Sequence, residues 1–189
     1  MLSHCHGQLW NASKIAGSLG VDNKTARRYL DALEATFMVR QLQPLHANLK
    51  KRLVKSPKVY LRDSGLLHAL LSIGTHEQLL GHPAAGASWE GWCIEQILSV
   101  VASNTTADFY RTSAGAEIDL VLHHAGVGPV VAIEVKRSLD PRPGRGFWSA
   151  LADLQSARAF VVYPGEESYP LGEHVWALPM GQMSKKSFA

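Results

Sequence analysis

One short segment, residues 130–136 (Val-Val-Ala-Ile-Glu-Val-Lys), constrains the fold of this chain more than any other. Apolar residues on both alternating faces predict a strand that is covered on both sides, in the centre of a sheet. Glu134 and Lys136 interrupt this run, and burial of a carboxylate or an ammonium group is costly unless the group is paired or binds a metal. The segment therefore predicts a central strand that holds charged side chains, either as an ion pair or as part of a reactive site.

The segments around this strand have the periodicities of alternating helices and strands. Residues 116–122 alternate, with Glu117 and Asp119 on one face and larger apolar residues on the other. The other predicted elements are a helix at 89–101, a strand at 108–111, a helix at 146–154 and a strand at 159–163. Their order, αβββαβ, predicts an α/β (α+β) domain. Glu90 falls at the start of the apolar stripe of the first helix, where a carboxylate is unexpected.

Charge is distributed unevenly along the chain. The 189 residues carry a formal net charge of +3, yet residues 21–62 contain ten Lys and Arg against three Asp and Glu. That segment has a charge of +7 and the remainder −4. A basic third joined to a mildly acidic remainder suggests two modules, one of which faces a polyanion, although a solvated surface with scattered lysines would give the same count.

Where the basic third begins, residues 12–37 have the pattern of a helix-turn-helix. A short apolar pattern ends at Gly20, and Asp22 is a good N-cap for a second helix. The apolar residues that recur at helical spacing on this second helix are Ala26, Leu30, Leu33 and Phe37. The opposite face is basic, which suits a helix that lies in the major groove of DNA.

Two extended segments, residues 37–45 and 58–61, follow the second helix and enclose a basic loop. Strand, basic loop and strand after a helix-turn-helix predict a winged helix over about residues 9–62, whose wing would contact phosphates. The residues expected to contact nucleic acid are Lys24, Thr25, Arg27, Arg28, Lys50, Lys51, Arg52 and Lys55. The alternative is that this module packs only against protein neighbours.

Composition divides the chain and excludes several classes of protein. The predicted division is a winged helix-turn-helix with a following helix at 1–74, a Gly-, His-, Pro- and Ala-rich linker at 75–88, the α/β domain at 89–180 and a tail at 181–189. Two cysteines cannot form a disulfide scaffold, no apolar run reaches the ~18 residues of a membrane span, and no secretory signal is visible. We therefore expect a cytoplasmic protein without a membrane partner.

Asp119 followed by Glu134-Val135-Lys136 resembles the Asp…(Asp/Glu)-x-Lys signature of the PD-(D/E)xK nuclease superfamily. The predicted αβββαβ order also resembles the core of that superfamily, a restriction-endonuclease-like fold. The resemblance implies a Mg²⁺-dependent site with Asp119, Glu134 and Glu90 as metal ligands, Lys136 as a further catalytic group, and Glu117 and Arg111 beside them.

A wider resemblance covers nearly the whole chain. The winged-helix pattern and the segments Ser-Pro-Lys-Val-Tyr-Leu-Arg-Asp-Ser-Gly-Leu-Leu, Trp-Glu-Gly, Phe-Tyr-Arg, Ala-Glu-Ile-Asp-Leu-Val and Ile-Glu-Val-Lys-Arg-Ser resemble the C-terminal region of the DUF4143 family. The resemblance implies an AAA+ ATPase domain, upstream or in trans. The chain itself has no Gly-x-x-x-x-Gly-Lys-Ser/Thr motif, so no ATP site is expected in these residues.

Two functional hypotheses follow. In the first, the chain is a Mg²⁺-dependent DNA endonuclease-like or DNA-processing module that works with an AAA+ ATPase. In the second, it is a catalytically inactive nucleic-acid- or protein-binding regulatory module, with its acidic groups in a structural network. A third possibility is that residues 1–74 act as a transcriptional regulator. The oligomeric state stays open.

Overall fold

A computed structural model describes residues 1–45, 52–124, 130–154 and 158–184. These residues form nine strands and six α-helices in a mixed α/β fold. The chain forms two compact units, the first from residues 1–42 and 56–92, the second from residues 43–55 and 93–189. Within the described part, no helix combines the length and the apolar character needed to cross a membrane.

Two helices open the first unit, and local capping explains where each begins. Helix α1 (Ala12–Leu19) starts after Asn11, whose side chain accepts a hydrogen bond from the Lys14 amide. It ends at Gly20 in the left-handed conformation (φ 66°), which glycine adopts without steric cost. Helix α2 (Asn23–Ala35) starts after Asp22, whose carboxylate accepts from the Thr25 amide at 2.8 Å. The predicted helices and the predicted N-cap at Asp22 are confirmed.

The buried face of α2 is shorter than predicted. Ala26 and Leu30 are buried and Leu33 is half-buried, but Phe37 is 74% exposed. The expectation that Phe37 completes the apolar face is wrong, because α2 ends at Ala35 and Phe37 has a φ of 60°. The backbone therefore leaves the helical path before Phe37, and its ring lies instead beneath the Arg62 guanidinium at 5.6 Å.

Three strands complete the sheet of the first unit: β1 (Gln8–Leu9), β2 (Val39–Pro44) and β3 (Lys58–Leu61). They pair antiparallel in the order β1-β3-β2, with Val39 opposite Leu61 and Gln8 opposite Val59. Helices α3 (Ser64–Leu70) and α4 (His76–Gly81) follow, and α5 (Ala85–Val100) begins in the first unit and continues into the second. Helix α4 and the start of α5 thus occupy the segment 75–88 that we predicted to be a linker.

The core of the first unit lies between its helices and its sheet. Ile15 and Ala16 of α1 pack with Ala26 and Leu30 of α2. The other buried members of this cluster are Trp10, Val39, Val59, Leu61 and Leu67. The apolar spacing in α1 and α2 is therefore explained by one shared core.

His6 connects the N-terminal residues to this unit as a buried, neutral group. Its Nδ1 accepts a hydrogen bond from the Leu61 amide at 3.0 Å, so the proton lies on Nε2, which donates to the Ala87 carbonyl at 3.0 Å. Burial lowers the pKa of His6 to about 4, and nearby His68 adds to this effect. A second proton on the ring would break the bond from Leu61.

Because the folded pKa of His6 lies below its unfolded value of 6.5, the unfolded chain binds an extra proton between pH 6.5 and pH 4. The stabilisation from neutral His6 is present above pH 6.5 and is lost as the pH falls toward 4. We expect this residue to account for roughly 3 kcal/mol of lost unfolding free energy.

Urea unfolding at a series of pH values checks this expectation. His6→Gln keeps a donor and an acceptor but does not titrate, so its stability should fall less than that of the wild type between pH 6.5 and pH 4. The matched control is His4→Gln, at an exposed histidine two residues away. Parallel pH curves for the wild type and His6→Gln would contradict the assignment.

The second unit contains β4 (Thr105–Arg111), β5 (Glu117–His124), β6 (Val131–Val135), α6 (Arg145–Leu154), β7 (Arg158–Tyr163), β8 (Tyr169–Gly172) and β9 (Val175–Pro179). Their order in the sheet is β4-β5-β6-β7-β9-β8. The pairs β4–β5, β5–β6 and β8–β9 are antiparallel, whereas β6–β7 and β7–β9 are parallel. From α5 to β7 the elements follow the predicted order αβββαβ.

Strand β6 lies in the interior of this sheet, and all five of its residues are buried. Helix α6 connects β6 to the parallel strand β7 and packs Phe147 and Ala150 against Val121 and Ala132. The prediction of a central, two-sided strand around Glu134 is confirmed. The last residues of β2, Gln43 and Pro44, pair in parallel with β4 in this unit.

Candidate active site

Strands β5 and β6 bring two of the predicted carboxylates together. Asp119 is 9% exposed and Glu134 is 8% exposed. The register pairs Val121 with Ala132. Asp119 lies two residues from Val121 on β5, and Glu134 lies two residues from Ala132 on β6, and residues two apart on a strand share one face. Cross-strand neighbours share one face of a sheet, so both carboxylates lie on the same face.

Asp119 has a defined structural bond at this position. Its Oδ2 accepts a hydrogen bond from the backbone amide of Val135 at 2.9 Å. The regular β5–β6 register ends at Leu120 and Ile133, so this bond lies just beyond the paired part of the two strands. A buried amide needs such an acceptor, and Asp119 supplies it.

Lys136 neutralises one of the two carboxylates. Its Nζ donates to Glu134 Oε1 at 2.6 Å, and its backbone amide donates to the Val162 carbonyl of β7 at 2.9 Å. Lys136 directly follows the last residue of β6, and its side chain reaches back to Glu134 two residues earlier. The arrangement therefore holds two carboxylates and one ammonium group at the end of β6.

Glu117 of β5 and Arg111 of β4 form an ion pair with each other. They are register partners on β5 and β4, and Arg111 Nε lies 3.5 Å from Glu117 Oε2. Both side chains are partly exposed, so this ion pair contributes little to stability.

Tyr110, beside Arg111, is fully buried and donates a hydrogen bond to Asp153 Oδ2 of α6 at 2.9 Å. Burial and this bond raise the pKa of Tyr110 well above its usual range, so the phenol stays protonated.

Glu90 belongs to the first unit, where it meets two partners that sequence reasoning missed. Its Oε1 accepts from Lys58 Nζ at 3.1 Å and from Tyr60 Oη at 2.5 Å. Lys58 is only 3% exposed. The signal was present in the sequence, because a lysine inside the apolar strand Lys-Val-Tyr-Leu needs an anionic partner once that strand is buried.

The predicted nucleic-acid contacts divide between the two units. Lys24 and Arg28 are exposed on α2, and Arg27 on the same helix is paired with Asp31 at 3.1 Å. Thr25 bonds to Asp22 as part of the N-cap. Arg52 and Lys55 are exposed residues of the second unit, while Lys50 and Lys51 lie outside the described residues.

Comparison with known families matches residues 85–183 to the model described as Domain of unknown function (DUF4143). The chain belongs to the DUF4143 family. A second model, Domain of unknown function (DUF8612), matches residues 1–77. Asp119, Glu134 and Lys136 thus all lie in the DUF4143 region.

Two relatives in mycobacteria extend this result. An uncharacterized protein of Mycobacterium tuberculosis and one of Mycobacterium bovis are each 46% identical to the chain over 183 residues, which is 97% of the chain and 41% of the relative. The chain therefore spans less than half the length of these relatives. No solved structure matches the chain.

Within the described parts of both units, no group of three His, Cys, Asp or Glu side chains is arranged to hold a metal ion. The DUF4143 region instead brings together the pair Asp119 and Glu134.

Because Asp119 accepts a bond from the Val135 amide, substitutions of Asp119 can test its structural role separately from any catalytic role. Asp119→Ala leaves a buried amide without its acceptor, and we expect a loss of about 1–3 kcal/mol of unfolding free energy. Asp119→Asn retains a carbonyl oxygen that can accept the same bond, so its loss should be clearly smaller.

Urea unfolding of the two variants measures this difference. Glu173→Ala, at an exposed carboxylate of the same unit, serves as the control for loss of negative charge. Equal losses in Asp119→Ala and Asp119→Asn would show that the bond to Val135 does not stabilise the fold.

Proposed function

We propose that the chain is a DNA-processing protein whose DUF4143 region carries a Mg²⁺-dependent phosphodiester-cleaving site of the PD-(D/E)xK type, built on Asp119, Glu134 and Lys136. The observation that supports this most directly is the pair of buried carboxylates on adjacent strands with Lys136 Nζ 2.6 Å from one of them. Buried carboxylates in such a pair are costly unless positive charge compensates them.

The chemistry of these side chains fits a hard divalent cation. Mg²⁺ prefers carboxylate oxygens and is usually held by one or two protein carboxylates, with water completing its shell. Asp119 and Glu134 would hold the ion, which when bound would polarise a phosphate and acidify a water molecule. Lys136 would stabilise negative charge on the phosphate.

Glu90 stays a proposed additional ligand. Its bonds to Lys58 and Tyr60 give the carboxylate a structural explanation that does not involve a metal. Glu90→Gln in a cleavage assay separates the structural role from the metal-binding role. The amide oxygen can still accept both bonds, so cleavage should be lost only if the Glu90 carboxylate is a metal ligand.

For the first unit we propose a winged helix that binds DNA. Two helices joined at Gly20, followed by strands β2 and β3, support this proposal, as do the exposed cations Lys24 and Arg28 on α2. Such cations give phosphate contacts that are independent of sequence. The family resemblance further suggests an AAA+ ATPase as the partner of the whole assembly.

A second candidate function is a binding or regulatory module without catalysis. It is favoured by the fact that Asp119 and Glu134 each have a protein partner, the Val135 amide and the Lys136 ammonium group. These bonds would suffice for a structural network. In that case nucleic-acid or protein binding survives the loss of the Asp119 charge.

Cleavage assays separate the two functions. With Mg²⁺ or Mn²⁺ and plasmid, duplex or single-stranded DNA or RNA, the wild type should cut at least one substrate. Asp119→Asn, Glu134→Gln and Lys136→Met should each lower the rate about 100-fold or more, because each removes a charge that acts on the phosphate or the metal.

The matched control is Glu173→Gln, which removes an exposed carboxylate from the same unit and should cut like the wild type. EDTA should abolish cutting. If no substrate is cut in a manner that depends on both the metal and Asp119, the catalytic proposal is wrong and the binding module is favoured.

The DNA-binding proposal predicts a salt-dependent interaction. Lys24→Ala and Arg28→Ala should each weaken binding to duplexes of different sequence to a similar extent and should lower the slope of log Kd against log salt by about one. Fluorescence anisotropy with labelled duplexes at several salt concentrations measures this. Arg142→Ala, which removes an exposed cation paired with Asp140, is the control. An unchanged slope in the α2 variants would remove α2 from the interface.

A further inference from the structure

A cavity of about 470 Å³ lies in the second unit, apart from the residues that we propose for catalysis. Its walls are the turn at residues 112–116, the first turns of α6 and Arg52. Neither of the two proposed functions assigns these residues a joint role, although Arg52 by itself was predicted to contact nucleic acid.

Backbone contacts hold these walls together. The Ser113 amide donates to the Arg52 carbonyl at 2.9 Å, and Leu53 forms an isolated bridge with Thr112. Gly146 of α6 lies so close to the turn that a Cβ atom there would be 2.8 Å from the Gly115 carbonyl oxygen. Helix α6 can approach the turn only because residue 146 has no side chain. The cavity is therefore formed by the fold itself.

The polar side chains on these walls are cationic or neutral. Arg52 and Arg145 line the cavity together with three hydroxyl-bearing residues, Thr112, Ser113 and Ser149, and no acidic residue is among the lining residues. Within the part of the chain that the structure describes, neither arginine forms an ion pair. By contrast, Arg111 and Arg142 of the same unit are both paired with carboxylates.

Two arginines and three hydroxyl-bearing residues around one cavity can supply the donor set for a tetrahedral oxyanion. The planar guanidinium group matches two phosphate oxygens at once, and serine hydroxyls donate to the remaining oxygens. The positive end of α6, a ten-residue helix, adds to the same potential. All these contributions favour an oxyanion such as phosphate over a cationic or apolar ligand.

We propose that this cavity binds a backbone phosphate of a nucleic-acid strand through Arg52 and Arg145. The inference rests on the proposed function for the nature of the ligand, since a phosphate group is also present in nucleotides and as the free ion. It adds a binding subsite in the second unit to the contacts proposed for α2.

Binding is measured with the full chain in EDTA, so that no cleavage takes place. Fluorescence anisotropy with a labelled single-stranded and a labelled duplex oligonucleotide should show about tenfold weaker binding for Arg52→Gln and for Arg145→Gln. Each variant should also lower the salt slope by about one. Arg142→Gln, three residues from Arg145 and paired with Asp140, should bind like the wild type.

A variant without a charge change tests the cavity rather than the overall charge. Ser149→Trp, on an exposed position of α6, fills the space and should weaken binding as the arginine variants do. Urea unfolding confirms that each variant is folded. If Ser149→Trp and both arginine variants bind like the wild type, the subsite is excluded.

Inorganic phosphate distinguishes the sources of the ligand. Titration followed by NMR should shift the amide signals of Gly115 and Gly146 in the wild type but not in the Arg52→Gln, Arg145→Gln double variant. Phosphate binding in the cavity together with unchanged oligonucleotide binding in the double variant would assign the site to a free phosphate or a nucleotide and would overturn the proposal.

The result of these binding experiments does not depend on whether the chain cleaves nucleic acid. If the wild type does not cut any substrate but the arginine variants weaken oligonucleotide binding, the phosphate site stands and the nuclease proposal falls. If cutting depends on Asp119 but binding and cutting are unchanged in Arg52→Gln and Arg145→Gln, the nuclease proposal stands and the phosphate site falls.

Discussion

The second unit depends on how strand β6 accommodates charge in its interior. A strand with all five residues buried must satisfy its amides and neutralise its side chains without water. Asp119 of β5 accepts a hydrogen bond from the Val135 amide of β6. The Lys136 side chain donates to Glu134, and the Lys136 backbone amide donates to the Val162 carbonyl of β7. These bonds tie β5, β6 and β7 together at the point where the apolar ladder ends, and they position the three charged groups on which the proposed chemistry depends.

Much of this fold could be predicted from the sequence because local signals determine it. Gly20 marks the end of α1 and Asp22 the start of α2. The two-sided apolar run at residues 130–136 marks a central strand. Phe37 was predicted wrongly for a related reason. It continues the helical spacing of α2 but follows the helix end at Ala35, and spacing alone does not show where the backbone turns.

The candidate site was predicted in part. Glu134 and Lys136 were identified because charge in an apolar strand is anomalous in itself, and Asp119 was identified through the resemblance to the nuclease signature. Partners distant in the chain were not predictable in this way: Lys58 and Tyr60 precede Glu90 by about thirty residues, and only the pairing of elements reveals them. The cavity beside Arg52 escaped for the same reason, since its walls come from three separate segments.

Burial distinguishes Glu90 from Asp119 and Glu134. The side chain of Glu90 is 21% exposed and accepts bonds from one ammonium group and one phenol. Asp119 and Glu134 are 9% and 8% exposed, and they accept bonds from the Val135 amide and the Lys136 ammonium group. A carboxylate is costlier to keep charged where water is excluded, so positive charge stabilises it more there. For this reason the metal-dependent proposal is centred on Asp119 and Glu134 and treats Glu90 as secondary.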